Sequence, residues 1–281
     1  MRLLMVEGNQ KSRVTTAAKK GIRSASKVYE NAIRHFFPEV EIDTVFGADG
    51  ERLPEGMSYR DYDGLVMGGS GMHAYDNTPE VTNQIQLMLE FSETGRPILG
   101  SCWGLQIAAI AGGGEVKRNA VGRELGIARK ILLNEAGRRH PFYQGKRPVF
   151  DSPCIHYDEV TKLPEGSTLL CSNNHSQVQG AIIPLGRSEV WAVQYHPEFD
   201  LAQLRMLFEL YGTDMLEQGF VCDEQNYREF LDKYQTLECQ PDNEALAWQL
   251  GIDEDVLDNR VRSLEIINWV NHTKHFNAGL K

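Results

Sequence analysis

Three residues of this 281-residue sequence have the types and local settings that nucleophilic catalysis needs: Cys102, His196 and Glu198. Cys102 lies midway between Gly100 and Gly104, after a short apolar run and before a longer apolar run that is compatible with a helix. Strand, sharp turn and helix in this order predict a nucleophile elbow, with the thiol at the tip of the turn. The helix N-terminus then favours a negative charge on the sulfur. A lone cysteine is more often a buried structural residue, so the elbow needs support from elsewhere in the sequence.

That support comes from His196-Pro197-Glu198, which directly follows a second apolar run. The two outer residues are two positions apart, so an extended backbone places their side chains on the same side. The proline between them restricts the backbone further. A histidine that moves a proton and a carboxylate that orients the imidazole are the partners a cysteine nucleophile requires. The two segments together predict a Cys-His-Glu triad.

The pattern Gly100-x-Cys102-x-Gly104-x-Gln106, with the distal His-Pro-Glu, resembles the class I glutamine amidotransferases. The resemblance extends from about Met1 to Tyr211. It implies a flavodoxin-like amidotransferase fold in which Cys102, His196 and Glu198 are the catalytic residues. It further implies that Gln106 holds the glutamine substrate, and that the backbone N–H groups of Gly69 and Trp103 bind the oxyanion.

Two positions depart from the family pattern. Leu105 stands where the family often has histidine, which changes the pocket wall or its packing, and Ser70 replaces a common proline after Gly69. Gln106 has the alternative of capping the helix or facing solvent. The segment around His156 resembles a family segment that lines the site, and its role there is mainly structural.

The first half of the sequence alternates strand and helix patterns, which predicts a mostly parallel central sheet with helices on both faces, an α/β fold. A nucleophile at the carboxyl end of a strand agrees with the general rule for such sheets. After Gly114 the pattern changes to short strands separated by turns, which indicates an antiparallel addition. Predicted helices cover 200–211, 224–234, 243–250 and 255–270.

We place a domain boundary at residue 212: 1–212 form the amidotransferase domain, and 213–281 form an acidic helical extension packed on it. The extension carries 14 Asp and Glu against 6 Lys and Arg, although the whole chain has a net charge of only −10. Trp248 and Trp269 in this segment indicate docking on the core, with a partner or dimer surface as the alternative.

The basic segment 9–27 has two interpretations. It is either a solvated loop that leads into a helix, or a flap or anion contact at the edge of the active site.

Composition excludes several classes of function. The acidic balance argues against nucleic-acid binding, and no apolar stretch is long enough to span a membrane. The start of the chain reads as a first strand and not as a signal peptide. Five cysteines without paired spacing predict neither a disulfide framework nor a metal site, and no cofactor motif is present. A reactive thiol favours the cytoplasm.

Three functions remain open. The chain is a glutamine amidotransferase that feeds ammonia to a separate synthase subunit, a free-standing hydrolase of γ-glutamyl amides or peptides, or a non-catalytic regulatory or binding module. In the first two, Cys102 attacks the carboxamide, a γ-glutamyl thioester forms, and glutamate is released after ammonia or an amine. An intact triad argues against the third. The oligomeric state is open, and a homo-oligomer is one possibility.

Overall fold

The computed structural model describes residues 1–51 and 53–279. In these residues, nine strands form one sheet in the order β2-β1-β3-β4-β11-β10-β9-β6-β7, and two form a separate ribbon, β5-β8. The strands are β1 Arg2–Glu7, β2 Glu41–Phe46, β3 Gly64–Met67, β4 Ile98–Ser101, β5 Glu115–Arg118, β6 Glu124–Leu133, β7 Val149–His156, β8 Asp158–Lys162, β9 Thr168–Ser172, β10 Gly180–Leu185 and β11 Ser188–Val193.

The sheet has a parallel half and an antiparallel half that meet at β11. Strands β2, β1, β3, β4 and β11 pair in parallel. Beyond β11, the strands β10, β9, β6 and β7 pair antiparallel. The predicted α/β architecture, a parallel sheet with an antiparallel addition, is confirmed.

Helices cover both faces of the parallel half, as the alternation of strand and helix patterns requires. The α-helices of the described residues, on these faces and elsewhere, are α1 Lys11–Ala18, α2 Ala25–Phe36, α3 Pro79–Ser92, α4 Trp103–Ala111, α5 Glu135–Arg139, α6 Leu201–Leu210, α7 Gly212–Glu217, α8 Glu224–Cys239, α9 Glu244–Leu250, α10 Glu254–Leu257, α11 Asn259–Arg262 and α12 Leu264–Ala278.

Each face of the sheet buries its own core, because alternate side chains of a strand point to opposite faces. On one face, Leu4 and Val6 of β1 belong to the cluster that includes residues of α3 and α4. On the other face, Leu3 and Met5 belong to the cluster that includes residues of α2 and α12. Complete burial of each such side chain contributes about 1.5–3 kcal/mol.

The region after residue 212 is helical, and the domain boundary there stays a prediction. Helices α8 and α9 share a third apolar cluster with α6. Helix α12 instead packs on the parallel sheet, where Trp269 is fully buried against Gly64. A methyl group on Gly64 would lie 2.9 Å from the indole, so this strand accepts Trp269 only because it carries a glycine there.

The single helix predicted over 255–270 is wrong. The chain forms α10, α11 and α12 in succession, and polar side chains cap the first two of these helices. Asp253 accepts from the backbone N–H of Asp255, and Asp258 accepts from that of Val261. Such caps compete with the continuation of a helix.

Candidate active site

The sheet brings the two predicted catalytic segments to one edge. Strands β4 and β11 are parallel neighbours, and Ser101 pairs in register with Val193. The backbone N–H of Cys102 donates to the carbonyl of Val193 at 2.8 Å. The segments that follow the two strands therefore leave the sheet side by side, at its carboxyl edge, where ligands bind in sheets of this kind.

Cys102 occupies a strained turn. Its φ is 51° and its ψ is −95°, and among the described residues only Lys130 shares a positive φ without being glycine. A conformation of this kind costs on the order of 1–3 kcal/mol and persists where the surroundings enforce it. Close packing around the turn holds Cys102 in this conformation. A methyl group on Gly104 would collide with the carbonyl oxygen of Met67, and one on Gly100 would lie 2.7 Å from the backbone of Gly104.

His196 and Glu198 form a buried pair beside this turn. Nδ1 of His196 lies 2.6 Å from Oε1 of Glu198. The imidazole stacks on Phe199, with ring centroids 3.9 Å apart and planes inclined by 6°. Burial alone would lower the pKa of His196, but the charge of Glu198 and the hydrogen bond to it outweigh burial and raise the pKa to about 10. The imidazole is therefore set to hold a proton.

Two further residues surround the Glu198 carboxylate. The hydroxyl of Ser101 donates to Oε1 of Glu198 at 3.3 Å. Tyr29 of α2 is fully buried next to the same groups. Burial, and then the negative charge of Glu198, raise the pKa of the Tyr29 phenol well above its usual range. Oε1 of Glu198 therefore has Ser101 as a second hydrogen-bonding partner beside His196, and sequence spacing had not revealed this partner.

The predicted oxyanion donors lie next to the triad. A methyl group on Gly69 would come within 2.9 Å of Cε1 of His196, so the glycine lets the imidazole approach this backbone. Trp103 is the first residue of α4, and the first N–H groups of a helix have no acceptor within that helix. The Trp103 indole donates to Oε1 of Gln84 at 2.8 Å, which fixes the start of α4.

Gln106 is buried one turn into α4 and lines the same cavity as Cys102. Its amide nitrogen donates to the carbonyl of Asp158 at 3.2 Å and to Oε1 of Gln194 at 3.4 Å. This excludes the solvent-facing and capping alternatives. The amide is held in place by Asp158 of β8 and by Gln194, which follows β11, and its part in substrate binding stays a prediction.

His156 is a structural residue of the cavity wall. Its Nε2 lies 2.8 Å from Oε2 of Glu124 and its Nδ1 lies 3.0 Å from the carbonyl of Asp158. Burial would raise the pKa of Glu124, but hydrogen bonds and the charge of His156 lower it. Both ring nitrogens are engaged by the protein, as expected for a histidine that shapes the site.

The triad opens into a cavity of about 430 Å³, within the usual range for small-molecule sites. Helix α1 and residues near it supply a wall that the sequence left undecided. The lining from this region comprises Asn9, Arg13, Val14, Ala17, Ile22, Arg23, Ser24 and Ala25. The solvated-loop interpretation of this basic segment is therefore wrong for Lys11–Ala18, which is helical and borders the cavity.

The sequence predicted that the segment around His156 lines the site, but it did not reveal the arginines that accompany this segment. Tyr157, Asp158, Arg118 and Arg123 line the cavity there. Asp158 is buried, and its Oδ2 lies 2.6 Å from Nδ1 of His73. The antiparallel pairing of β5 with β8, which sets Arg118 opposite Asp158, is the feature that brings them together. No local motif signals that pairing.

The remaining cysteines differ from Cys102 in their surroundings. Cys154 and Cys171 are fully buried, and burial raises the pKa of both thiols. Cys222 and Cys239 are exposed and lie outside the cavity. In the part of the chain that the structure describes, no helix is both long and apolar enough to cross a bilayer.

Residues 23–211 match the family model described as Glutamine amidotransferase class-I. The chain belongs to this family, which confirms the resemblance seen in the sequence and the prediction of an amide-hydrolysing enzyme. It is similar to the γ-glutamyl-L-1-hydroxyisopropylamide hydrolase of a Pseudomonas species, with 30% identity over 97% of this chain and 92% of the relative.

Two further comparisons support the same placement. γ-Glutamyl peptidase 3 of Arabidopsis thaliana is 28% identical over 63% of this chain and 75% of its own length. The crystal structure of a glutamine amidotransferase from Thermotoga maritima superimposes with a TM-score of 0.64 at 20% identity, over 96% of this chain and 98% of that one. The last comparison concerns the fold alone.

Proposed function

We propose that this protein hydrolyses γ-glutamyl amides through a thioester on Cys102, without a synthase partner. The observation that carries the proposal is the match to the Pseudomonas hydrolase along 97% of the chain. That match extends into the C-terminal region, which lies outside residues 23–211 of the family match. A relative that is similar over both parts is a better guide to the reaction than the family alone.

The cavity supports a substrate larger than glutamine. Its lining includes the aliphatic side chains of Val14, Ile22, Leu207 and Leu210. Apolar side chains of this kind suit the hydrocarbon part of a substituted amine, whereas ammonia would leave them without a partner.

In the first half of the proposed reaction, Sγ of Cys102 attacks the γ-carbonyl carbon and forms the S–C bond. The backbone N–H groups of Gly69 and Trp103 hold the resulting oxyanion. His196 gives its proton to the nitrogen as the C–N bond breaks, and the amine leaves. The raised pKa of His196 ensures that the proton is present when the leaving group needs it.

In the second half, the neutral His196 takes a proton from water, whose oxygen attacks the thioester carbonyl. The C–S bond breaks, glutamate is released, and His196 and Cys102 return to their starting state. Glu198 keeps the imidazole oriented in both halves through its contact at 2.6 Å. Gln106 is assigned to substrate binding.

A steady-state assay of glutamate release tests the proposal on the purified full-length chain. The substrates are glutamine, γ-glutamyl isopropylamide and a γ-glutamyl dipeptide, and the Cys102→Ser variant is the control. We expect the chain alone to turn over the substituted amides with a higher kcat/KM than glutamine.

Other outcomes would contradict it. If the chain alone releases no glutamate from any substrate, and hydrolyses glutamine only when a synthase is added, it is an ammonia-supplying subunit. Binding without any turnover would identify a non-catalytic module.

We also place the protein in the cytoplasm, because its five free cysteines suit a reducing compartment.

A further inference from the structure

Four arginines line the cavity that contains Cys102, and they fall into two pairs. Arg23 is neutralised by Asp200, and Arg123 contacts Asp214 at 3.0 Å. Among the described residues, no carboxylate oxygen lies within 4.0 Å of the guanidinium of Arg13 or Arg118. Within the part of the chain that the structure describes, these two guanidinium groups therefore line the cavity without a direct ion pair to a carboxylate.

Arg118 is held in place without being neutralised. Its guanidinium carbon lies 4.1 Å from the centre of the Tyr157 ring, and the group donates to the Tyr157 hydroxyl. Arg118 pairs across the ribbon with Asp158, whose carbonyl accepts from Gln106. This arginine thus belongs to the side of the cavity assigned to the glutamyl group. Guanidinium groups bind carboxylates through paired donors, so the α-carboxylate of the glutamyl group is its natural ligand.

Arg13 borders the cavity where the loop after β3 approaches His196. Its guanidinium packs against Gly71, where even a methyl group would collide with it. Gly71 is two residues from Gly69, which touches His196, the group that protonates the leaving amine in the proposed mechanism. Arg13 therefore faces the part of the substrate that departs.

Helix α1 has no role in the core that would explain these residues. None of its residues is buried, yet Arg13, Val14 and Ala17 line the cavity from it. The two aliphatic side chains and the charge share one face of the helix, since positions one turn apart are neighbours. A wall of this composition fits an amine with a short hydrocarbon body and a negative end.

We propose that Arg13 is a specificity-determining residue, and that the preferred substrates are γ-glutamyl conjugates of amines that carry a carboxylate, such as amino acids. Arg118 binds the carboxylate of the glutamyl group and Arg13 binds that of the leaving amine. The inference rests on the proposed γ-glutamyl amide hydrolase function and narrows its substrate class.

Calorimetric binding to the Cys102→Ser protein tests the proposal independently of turnover. The ligands are γ-glutamyl-4-aminobutyrate and γ-glutamyl butylamide, which differ in the terminal carboxylate. We expect the dicarboxylate to bind about 10-fold to 100-fold more tightly, as for a hydrogen bond to a charged group. Arg13→Met in the same background removes that difference and leaves the affinity for the butylamide within about twofold. Equal affinity of the two ligands, or an equal loss of both in Arg13→Met, would overturn the proposal.

Lys20→Met is the matched control, because Lys20 is an exposed basic residue of the same segment that does not line the cavity. It should retain the preference, and its loss there would assign the effect to net charge and overturn the role of Arg13. In the wild-type enzyme, Arg13→Met should raise KM for the dicarboxylate by a similar factor with little change in kcat. Absence of glutamate release from every substrate would reject the proposed function, while the binding comparison still decides the role of Arg13.

Discussion

Tyr195, the residue before His196, donates its hydroxyl to Oε1 of Glu265 on helix α12 at 2.7 Å. Oε2 of the same carboxylate lies 3.1 Å from Nζ of Lys146, and both charged side chains are 0% exposed. Close by, the hydroxyl of Ser263 donates to the carbonyl of Pro197 at 3.3 Å. The C-terminal region therefore contacts the His-Pro-Glu segment from behind, on the side away from the substrate.

Substitution of Glu265 by glutamine should destabilise the protein strongly. The amide oxygen still accepts from Tyr195, but Lys146 is left as a buried charge without a counter-ion. Breaking a buried ion pair in this way costs about 3–5 kcal/mol. Urea denaturation followed by circular dichroism measures the loss in the free energy of unfolding.

The double variant Lys146→Met, Glu265→Gln separates charge from packing. Because it removes the unpaired ammonium, it should be more stable than Glu265→Gln alone. Equal stability of the two variants would show that the buried charge is not the cause.

Cys102→Ser should abolish turnover and leave the circular dichroism spectrum unchanged, because the site is arranged around a sulfur nucleophile. In the wild type, a diazo-ketone analogue of glutamine should label Cys102 and spare Cys154 and Cys171, since burial raises the pKa of both thiols. Peptide mass spectrometry identifies the labelled residue.

Iodoacetamide provides the contrast, because it should also modify the exposed Cys222 and Cys239. Labelling by the glutamine analogue chiefly at Cys154 or Cys171 would refute the assignment of the nucleophile.

The pH profile of kcat/KM should reflect the pKa of His196. A proton on His196 is needed for the leaving group, so activity should fall as the pH rises through about 10. The charge of Glu198 is the largest of the effects that raise this pKa, and Glu198→Gln removes it while burial still lowers the value. The alkaline limb of the profile should therefore move to lower pH in this variant, with residual activity.

Glu135→Gln is the matched control, because this carboxylate is exposed and lies outside the cavity. Its alkaline limb should coincide with that of the wild type. If the alkaline limb of the kcat/KM profile is unchanged in Glu198→Gln, Glu198 does not set the pKa of His196.

Gly104→Ala should destabilise the elbow although alanine favours helices by about 1 kcal/mol. The added methyl group would collide with the carbonyl oxygen of Met67 on β3, so the strand or the helix must shift. Overpacking of this kind costs about 1–3 kcal/mol. The unfolding temperature Tm and kcat should both fall. Gly279→Ala is the control: no atom lies closer than 3.6 Å to its new methyl group, so this variant should behave as the wild type.

The sequence predicted the features that depend on local order. The elbow and the His-Pro-Glu segment have fixed spacings, and the alternation of strands and helices predicted the parallel half of the sheet. Partners that only the folded sheet brings together could not be predicted. Ser101 reaches Glu198 through the parallel pairing of β4 with β11, and no periodicity encodes that contact.

Helix α1 could not be predicted from helical periodicity. Its apolar residues are few and none is buried, so the usual helical periodicity is weak. The residues of this helix face the cavity instead of a core, and the pattern that reveals core helices is for that reason absent. The break between α10 and α11 escaped prediction because the side-chain cap of Asp258 overrides the underlying propensity.

The position of β11 next to β4 has a consequence for folding of the chain during its synthesis. Ser101 and Glu198 are 97 positions apart in the chain, and Glu265 lies 70 positions beyond Tyr195. Contacts of such sequence separation form late, after the loops between them have closed. An emerging chain exposes the cysteine long before it has an imidazole to activate it. The buried partner of Tyr195 on α12 is therefore synthesised last among the groups that surround this site.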